Sequence, residues 1–383
     1  MLRVVLDCRM AAWAGVGRYT RGLVRALAAR GDLELVQVCA AGERPPVARG
    51  DKVDVCPATH QPFGVRGALE LGRAAVRLRA DVVHSLHFPT PAPVRGPLVV
   101  TLHDLTPLLV PDVMPSAARR VVYRRWNARA VRVADQILVP SRATEADIER
   151  LFPAAHGKLA VTAEAADDFS SGPIGPLTGV LARLAATPYV LSMGNAKPHK
   201  DVPTLLRAFV HLAPAWPDLR LLLVGAEPPG YLGTALAGAP PDVRARVTFT
   251  GAVTDLELRR LYSGALAFAF PSRCEGFGLP PLEAMALGVP VVCADAASLP
   301  EVVGDAALLF PAGDAAALAA ALSRVLDDPA LHERLSQAGR ERAAQFTWER
   351  TAVATVAVYR EALQLHTELP GALHQASGAS SQA

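Results

Sequence analysis

Two glutamates with seven residues between them, Glu275 and Glu283, flank a loop that reads Arg273-Cys274-Glu275-Gly276-Phe277-Gly278. Carboxylate oxygens accept hydrogen bonds from the hydroxyls of a polyol, and the free backbone N–H groups of a glycine-rich loop at a helix start suit an anion such as a phosphate. A second set of charges, Lys197, His199 and Lys200, falls in Gly194-Asn195-Ala196-Lys197-Pro198-His199-Lys200-Asp201. Ammonium groups on flexible stems act as point charges that can clamp a diphosphate. His103 stands in Thr101-Leu102-His103-Asp104-Leu105, and Gly15-Val16-Gly17-Arg18-Tyr19 follows the first apolar run. Each group taken alone has a plainer reading: two surface carboxylates, a solvated basic loop, a structural histidine.

The elements that must position these residues are legible as alternating apolar runs and helical patterns. Residues 265–270 have strand length and end at Pro271-Ser272; Pro280-Pro281 precede a helix-like segment at 282–287, Gly288 ends it, and 289–293 reads as a buried strand. The glycine loop therefore sits at a helix N-terminus, where the helix dipole favours negative charge. Residues 2–6 form a strand before the Gly15–Gly17 loop and a helix to about Arg30; 97–101 is a strand ending at His103; 189–193 is a strand and 202–212 a helix on either side of the lysine loop. Further strands are expected at 33–40, 81–85, 135–139, 220–224 and 247–249, and helices at 142–151, 314–326 and 329–346. This alternation predicts parallel sheets covered by helices on both faces, with ligand-binding residues just past strand ends. Gly-x-Gly alone is weak, Gly22 comes too late for dinucleotide spacing, and no acidic residue stands at the end of 33–40, so an NAD-dehydrogenase reading is set aside.

At 383 residues the chain is long enough for two domains, and 51% hydrophobic with 20% charged residues places it among globular proteins. Lys+Arg at 39 against Asp+Glu at 36 is near balance and gives no argument for nucleic acid. The five cysteines, Cys8, Cys39, Cys56, Cys274 and Cys293, have no metal-ligand spacing, and a reduced cytoplasmic setting is expected. The alanine-rich tract 306–322 is broken by Pro311, Gly313 and Asp314 and is not a membrane span. Residues 116–133 carry six arginines with Val122, Trp126 and Val133 at helical spacing. Such a helix can lie on anionic lipid or be an ordinary solvated face, so peripheral membrane contact stays open.

The string P-S-x-x-E-G-F-G-L-P-x-L-E-A-M-A-x-G-x-P-V-V at 271–292, continued by Leu299-Pro300-Glu301-Val302-Val303-Gly304, closely resembles the Glu-x7-Glu motif of retaining glycosyltransferase family 4. Gly-Val-Gly-Arg-Tyr-Thr at 15–20, Thr-Leu-His-Asp-Leu at 101–105, Val-Pro-Ser-Arg-Ala-Thr at 139–144 and Phe-Thr-Gly-Ala-Val at 249–253 are similar to other segments of that family, in the same order. The resemblance implies a GT-B fold: an α/β protein of two Rossmann-like domains with parallel sheets facing an interdomain cleft. The expected limits are 1–168 for the acceptor-side domain, 169–188 for a linker with a short helix near 177–186, and 189–346 for the nucleotide-sugar domain. A helix at 347–364 would return to the first domain, and 371–383 would be disordered.

The same resemblance implies roles. Glu275 would orient the donor sugar, His103 would contact it, Lys200 would meet the diphosphate, and Glu283 would hold the ribose. Gly15, Gly17, Asn195, Lys197, His199, Val253, Phe277, Gly278 and Leu279 would line the nucleotide-sugar site. Where the family shows an Arg–Lys pair this chain has His199-Lys200, and either His199 or Lys197 stands in for the arginine. No Asp-x-Asp triplet is present, so neither metal nor other cofactor is expected, and the donor is a GDP- or UDP-sugar. Similarity to bacterial O-antigen-type mannosyltransferases makes mannose the first expectation, transferred to a glycolipid or polysaccharide. The alternatives are a non-catalytic GT-B protein that binds a sugar nucleotide and a GT-B enzyme such as a sugar-nucleotide epimerase.

Overall fold

A computed structural model of the protein describes residues 1–93, 95–194 and 196–378, with the side chains of Ala14 and 368–378 excepted. The chain divides into two units: Met1–Leu105, Ser116–Glu164 and Trp348–Ala383 make the first, and Thr106–Pro115 with Ala165–Thr347 the second. The stretch Thr106–Pro115 thus leaves the run expected for the first domain and belongs with the second.

In the first unit seven strands run parallel: β1 (Leu2–Asp7), β2 (Leu33–Ala40), β3 (Val53–Ala58), β4 (Val82–Ser85), β5 (Leu98–Thr101), β6 (Gln136–Val139) and β7 (Leu159–Val161). Their order across the sheet is β3-β2-β1-β4-β5-β6-β7. The central strands read as continuous apolar runs because helices cover both faces; Val4, Val5, Leu6, Val99 and Val100 have no exposed surface. Burying each such side chain stabilises the unit by about 1.5–3 kcal/mol. Val5, Val36 and Val38 pack with Leu71 and Ala74 of the helix Val65–Arg77, which fixes that helix against the β3 edge. Strands β3 and β7 are additions to the expected set.

The helix Ala117–Val133 forms where expected, capped by the Ser116 side chain, which accepts from the Arg119 N–H. Its buried side is Asn127, Ala130 and Val131, not the line of Val122, Trp126 and Val133; Val122 is 53% exposed. Trp126 and Val133 are half-buried. Ser141 caps Arg142–Leu151 as its spacing predicts. The last helix runs Trp348–Gly378, so the backbone of 371–378 is helical rather than irregular, and 379–383 lie outside the described residues.

The second unit holds six parallel strands: β8 (Tyr189–Met193), β9 (Arg220–Val224), β10 (Val247–Phe249), β11 (Ala267–Phe270), β12 (Val291–Asp295) and β13 (Leu308–Pro311). They are ordered β10-β9-β8-β11-β12-β13. In both units the strand order reverses once, beside the first strand, and in open parallel sheets ligands bind outside the carboxyl ends at that switch point. In the second unit the loops leaving the switch are those after β8 and β11, which carry the lysine loop and the glycine loop. The connecting stretch before β8 has helices at Asp167–Ser170 and Gly179–Leu184, the second shorter than expected. Among the described residues no helix is long and apolar enough to cross a membrane.

Candidate active site

The loop after β8 turns through a short helical segment at Pro198–Lys200, and Asp201 takes a left-handed conformation with φ 46° before the helix Val202–Leu212. Asp201 holds that bend from its side chain, accepting from Thr204 Oγ1 at 2.8 Å and from Arg273 Nε at 2.7 Å. The Arg273 N–H and the Ser272 hydroxyl both donate to the His199 carbonyl, at 2.8 Å and 3.1 Å. The two switch-point loops are therefore tied backbone to backbone. This brings Lys200 Nζ to 2.5 Å from Glu275 Oε1, with side chains only 16% and 14% exposed. The ammonium also lies 5.1 Å from the centre of the Phe270 ring, a cation–π distance.

Glycine decides the shape of the second loop. Gly278 has φ 118°, where an L side chain is strained, and a Cβ there would come 2.9 Å from Leu299. The helix that follows is Leu279–Ala286, beginning earlier than predicted so that Pro280 and Pro281 occupy its first turn. The buried Ser298 hydroxyl lies 2.6 Å from the Phe277 carbonyl and 3.0 Å from that of Glu275, pinning the loop from behind. Phe277 is buried with its ring edge-on to Phe346 at 5.7 Å. Glu283 is 3% exposed, and the Tyr262 hydroxyl donates to its Oε2 at 3.3 Å. Leu279 is buried, Lys197 is exposed, and His199 is buried with its carbonyl engaged as above. Val253 is half-buried beyond Gly251, whose backbone pairs with Gly225 at 3.0 and 3.2 Å. Asn195 lies outside the described residues.

The first unit carries Gly15, Gly17 and His103. Gly17 permits a close approach: a Cβ there would fall 2.5 Å from the Ala11 carbonyl oxygen, whereas one at Gly15 would meet nothing. His103 Nδ1 lies 3.1 Å from Glu164 Oε1 and Nε2 lies 3.0 Å from the Leu86 carbonyl. Both neighbours are acceptors, so both ring nitrogens donate and the imidazolium is the matching state. Burial opposes that charge, but the hydrogen bond and charge of Glu164, helped by the Leu86 carbonyl and Asp104, outweigh it and raise the pKa. Glu164 follows β7 as His103 follows β5, so a reading that recognised the short run Leu159–Val161 as a strand would have found it.

Beside this pair, His84 is buried and His87 half-buried. His84 joins the Tyr359 hydroxyl at 2.7 Å and the Thr101 hydroxyl at 2.8 Å, and Thr101 in turn meets Tyr19 at 3.0 Å. Burial and the His103 charge push the His84 pKa down to about 3, so it serves as a neutral ring with one donor and one acceptor. His87, lowered by the same two causes, accepts from the Phe88 N–H at 2.8 Å. One charged and two neutral histidines thus sit behind the carboxyl edge of the first sheet. Among the described residues no group of three or more His, Cys, Asp or Glu gathers as a metal site.

The fold and the switch-point loops define the class: two parallel α/β sheets of Rossmann order, the GT-B type. Residues 181–342 match the family described as "Glycosyl transferases group 1" and residues 13–167 match "Glycosyltransferase Family 4". The chain belongs to this family. It is 30% identical over 287 residues to a D-inositol 3-phosphate glycosyltransferase of Streptomyces avermitilis, covering 70% of this chain and 61% of that relative's length. It is also 30% identical over 267 residues to O-antigen chain mannosyltransferase B of Escherichia coli, covering 68% of this chain and 70% of that one. Sucrose-phosphate synthase from Thermosynechococcus elongatus has the same fold, with a TM-score of 0.74 at 24% identity over 94% of this chain and 99% of the other.

Proposed function

We propose that the protein is a retaining hexosyltransferase that uses a nucleoside diphosphate sugar. The Lys200–Glu275 pair at the switch point of the second sheet carries this reading, because it sets a cation for a diphosphate against a carboxylate for sugar hydroxyls. In it, the donor diphosphate draws Lys200 away from Glu275, and each side chain takes up its own part of the donor. Glu283, steadied by the Tyr262 hydroxyl, receives the ribose hydroxyls, and backbone N–H groups around Phe277–Leu279 face the phosphates. Lys197, His199, Asn195 and Val253 complete donor binding on the second unit. The bond between the anomeric carbon and the diphosphate oxygen breaks, the acceptor oxygen bonds to that carbon, and the acceptor proton passes to the departing diphosphate. Fixed donors stabilise the leaving charge without a metal ion. The His103 imidazolium adds positive charge rather than abstracting a proton, since neither ring nitrogen is left as an acceptor.

GDP-mannose is the first donor to try and a glycolipid or polysaccharide the first acceptor class, as the name of the Escherichia coli relative suggests; a UDP-sugar is the second donor. The exposed arginines of Ala117–Val133 beside Val121 and Val122, 50% and 53% exposed, support peripheral contact with anionic lipid at the inner face of the cell membrane. The deciding experiment supplies GDP-, UDP- and ADP-sugars with a membrane lipid extract and follows sugar transfer, with and without EDTA. Transfer that survives EDTA and is lost in Glu275→Ala is the expected outcome. Full transfer by Glu275→Ala would refute the site, and binding without turnover would mean a non-catalytic protein.

A further inference from the structure

Trp13 and Phe63 are large aromatic residues left 46% and 39% exposed, side by side, with ring centres 5.6 Å apart and planes at 43°. They stand at the starts of two helices that follow strands of the first unit, Ala14–Ala28 after β1 and Val65–Arg77 after β3. Trp13 is itself the N-cap of its helix and makes no side-chain cap. Ser, Thr, Asp and Asn are strongly preferred there because they satisfy an orphan N–H, so a tryptophan forgoes stability that a common substitution would supply. A local rule broken at a ligand-facing sheet edge marks a functional position.

The loop that presents Trp13 is stiff. The Trp13 N–H donates to the Met10 carbonyl at 3.0 Å, Ala11 N–H to Cys8 at 2.9 Å, and Gly17 N–H back to Trp13 at 2.8 Å. Arg21 donates to the Ala11 carbonyl, and Gly17 leaves no room for a Cβ beneath it. Behind Phe63 a file of rings runs inward: Phe88 at 5.6 Å, His87 at 4.3 Å from Phe88, and His103 at 5.6 Å from His87. Tyr123 braces Phe88 edge-on at 5.1 Å. The file is mostly covered at the His103 end, where that side chain is 11% exposed, and open at Trp13.

We infer that Trp13 and Phe63 form a stacking platform for a sugar ring of the acceptor, set back from the hydroxyl that reacts. The axial C–H groups of a pyranose carry slight positive charge and fit the negative face of an aromatic ring, while the sugar hydroxyls stay in water. Rings with about half their surface covered present a face for such contact. The assignment rests on reading the first unit as the acceptor side, and it makes the acceptor saccharide-bearing near the transfer point, whatever anchor lies further along.

The test needs no donor. Saturation-transfer NMR and tryptophan fluorescence would follow mannotriose, cellotriose and maltotriose binding to the wild type, Trp13→Ser and Phe63→Leu, with GDP and UDP binding measured in parallel. At least one trisaccharide binds the wild type, and each variant weakens it by about tenfold or more while nucleotide affinity is unchanged. Trp13→Ser, which restores a capping hydroxyl, keeps or raises the melting temperature, whereas a residue that was merely structural would lower it. A trisaccharide bound equally by wild type and Trp13→Ser overturns the inference. So does a wild type that binds none of the three, including the case where it binds phosphatidylglycerol vesicles through Trp13. Loss of sugar transfer in the donor panel with trisaccharide binding intact would instead count against the catalytic reading alone.

Discussion

Replacing Glu164 with glutamine keeps the shape of the His103 partner and removes its charge. In the folded protein His103 Nδ1 is 3.1 Å from the carboxylate, and the two side chains are 11% and 7% exposed. At that separation the Coulomb attraction is roughly 5 kcal/mol for an effective dielectric near 20, an upper figure. Burial, the largest influence and the one that opposes the charge, is then unopposed except by the Leu86 carbonyl and Asp104. In Glu164→Gln the His103 pKa should therefore fall. The sign for stability follows from linkage: a histidine raised on folding adds stability that is fully present below its unfolded pKa of about 6.5 and is lost as pH rises through the folded value. The wild type should thus exceed the variant most at the acid end, and the gap should narrow above neutrality. NMR titration of the histidine Cε1–H signals, with His103→Gln to assign the resonance, reads the pKa directly; urea melts across the same pH range read the stability. A His103 that titrates in Glu164→Gln at the same pH as in the wild type, or higher, would refute the reasoning.

Two further substitutions test packing and the donor loop. Gly22→Ala would place a Cβ 2.1 Å from the buried Trp348 ring, and overpacking of this kind costs about 1–3 kcal/mol, so the urea midpoint should drop; an unchanged midpoint would show that the last helix yields freely. Ser298→Ala removes the hydroxyl behind the Glu275 and Phe277 carbonyls, costing about 1–3 kcal/mol and loosening the glycine loop. Calorimetry should find GDP or UDP affinity reduced severalfold, and full affinity would mean the loop is held by other means.

The donor-side loops were legible because their determinants are local. Prolines, glycines and capping residues in 271–304 fix strand, loop and helix within a few residues of one another, and the strand before the lysine loop is an unbroken apolar run. What joins the two loops was not legible: Arg273 to Asp201 and Ser272 to the His199 carbonyl span more than seventy residues, and nothing in residue spacing marks such partners. Strand β3 escaped notice because Val-Asp-Val-Cys-Pro-Ala alternates poorly and holds a proline, which an edge strand tolerates since one side of its ladder is unpaired. Strand β7 is three residues long at the opposite edge, and with it went Glu164, the residue that charges His103. Which face of Ala117–Val133 packs was not legible either, because apolar residues fall on more than one side: Ala130 and Val131 lie inward and Val122 outward. His84 gave no local sign of burial, since its partner Tyr359 is 275 residues away.

That last separation bears on how the protein is made. Ribosomes deliver the chain from the N-terminus at about 5–20 residues per second, and domains tend to fold as they emerge. The first unit cannot do so to completion, because Trp348 against Gly22, Thr351 donating to the Ala163 carbonyl, and Tyr359 on His84 come from the last helix. For roughly ten to forty seconds after Ala163 is synthesised, the whole second unit is threaded out while His84, Tyr19 and the flank of Ala14–Ala28 wait uncovered. The second unit, whose residues are nearly contiguous, is synthesised in full before that helix appears. A nascent chain stalled just short of Trp348 would hold one finished unit and one open one, and the open one is where a chaperone would find its grip.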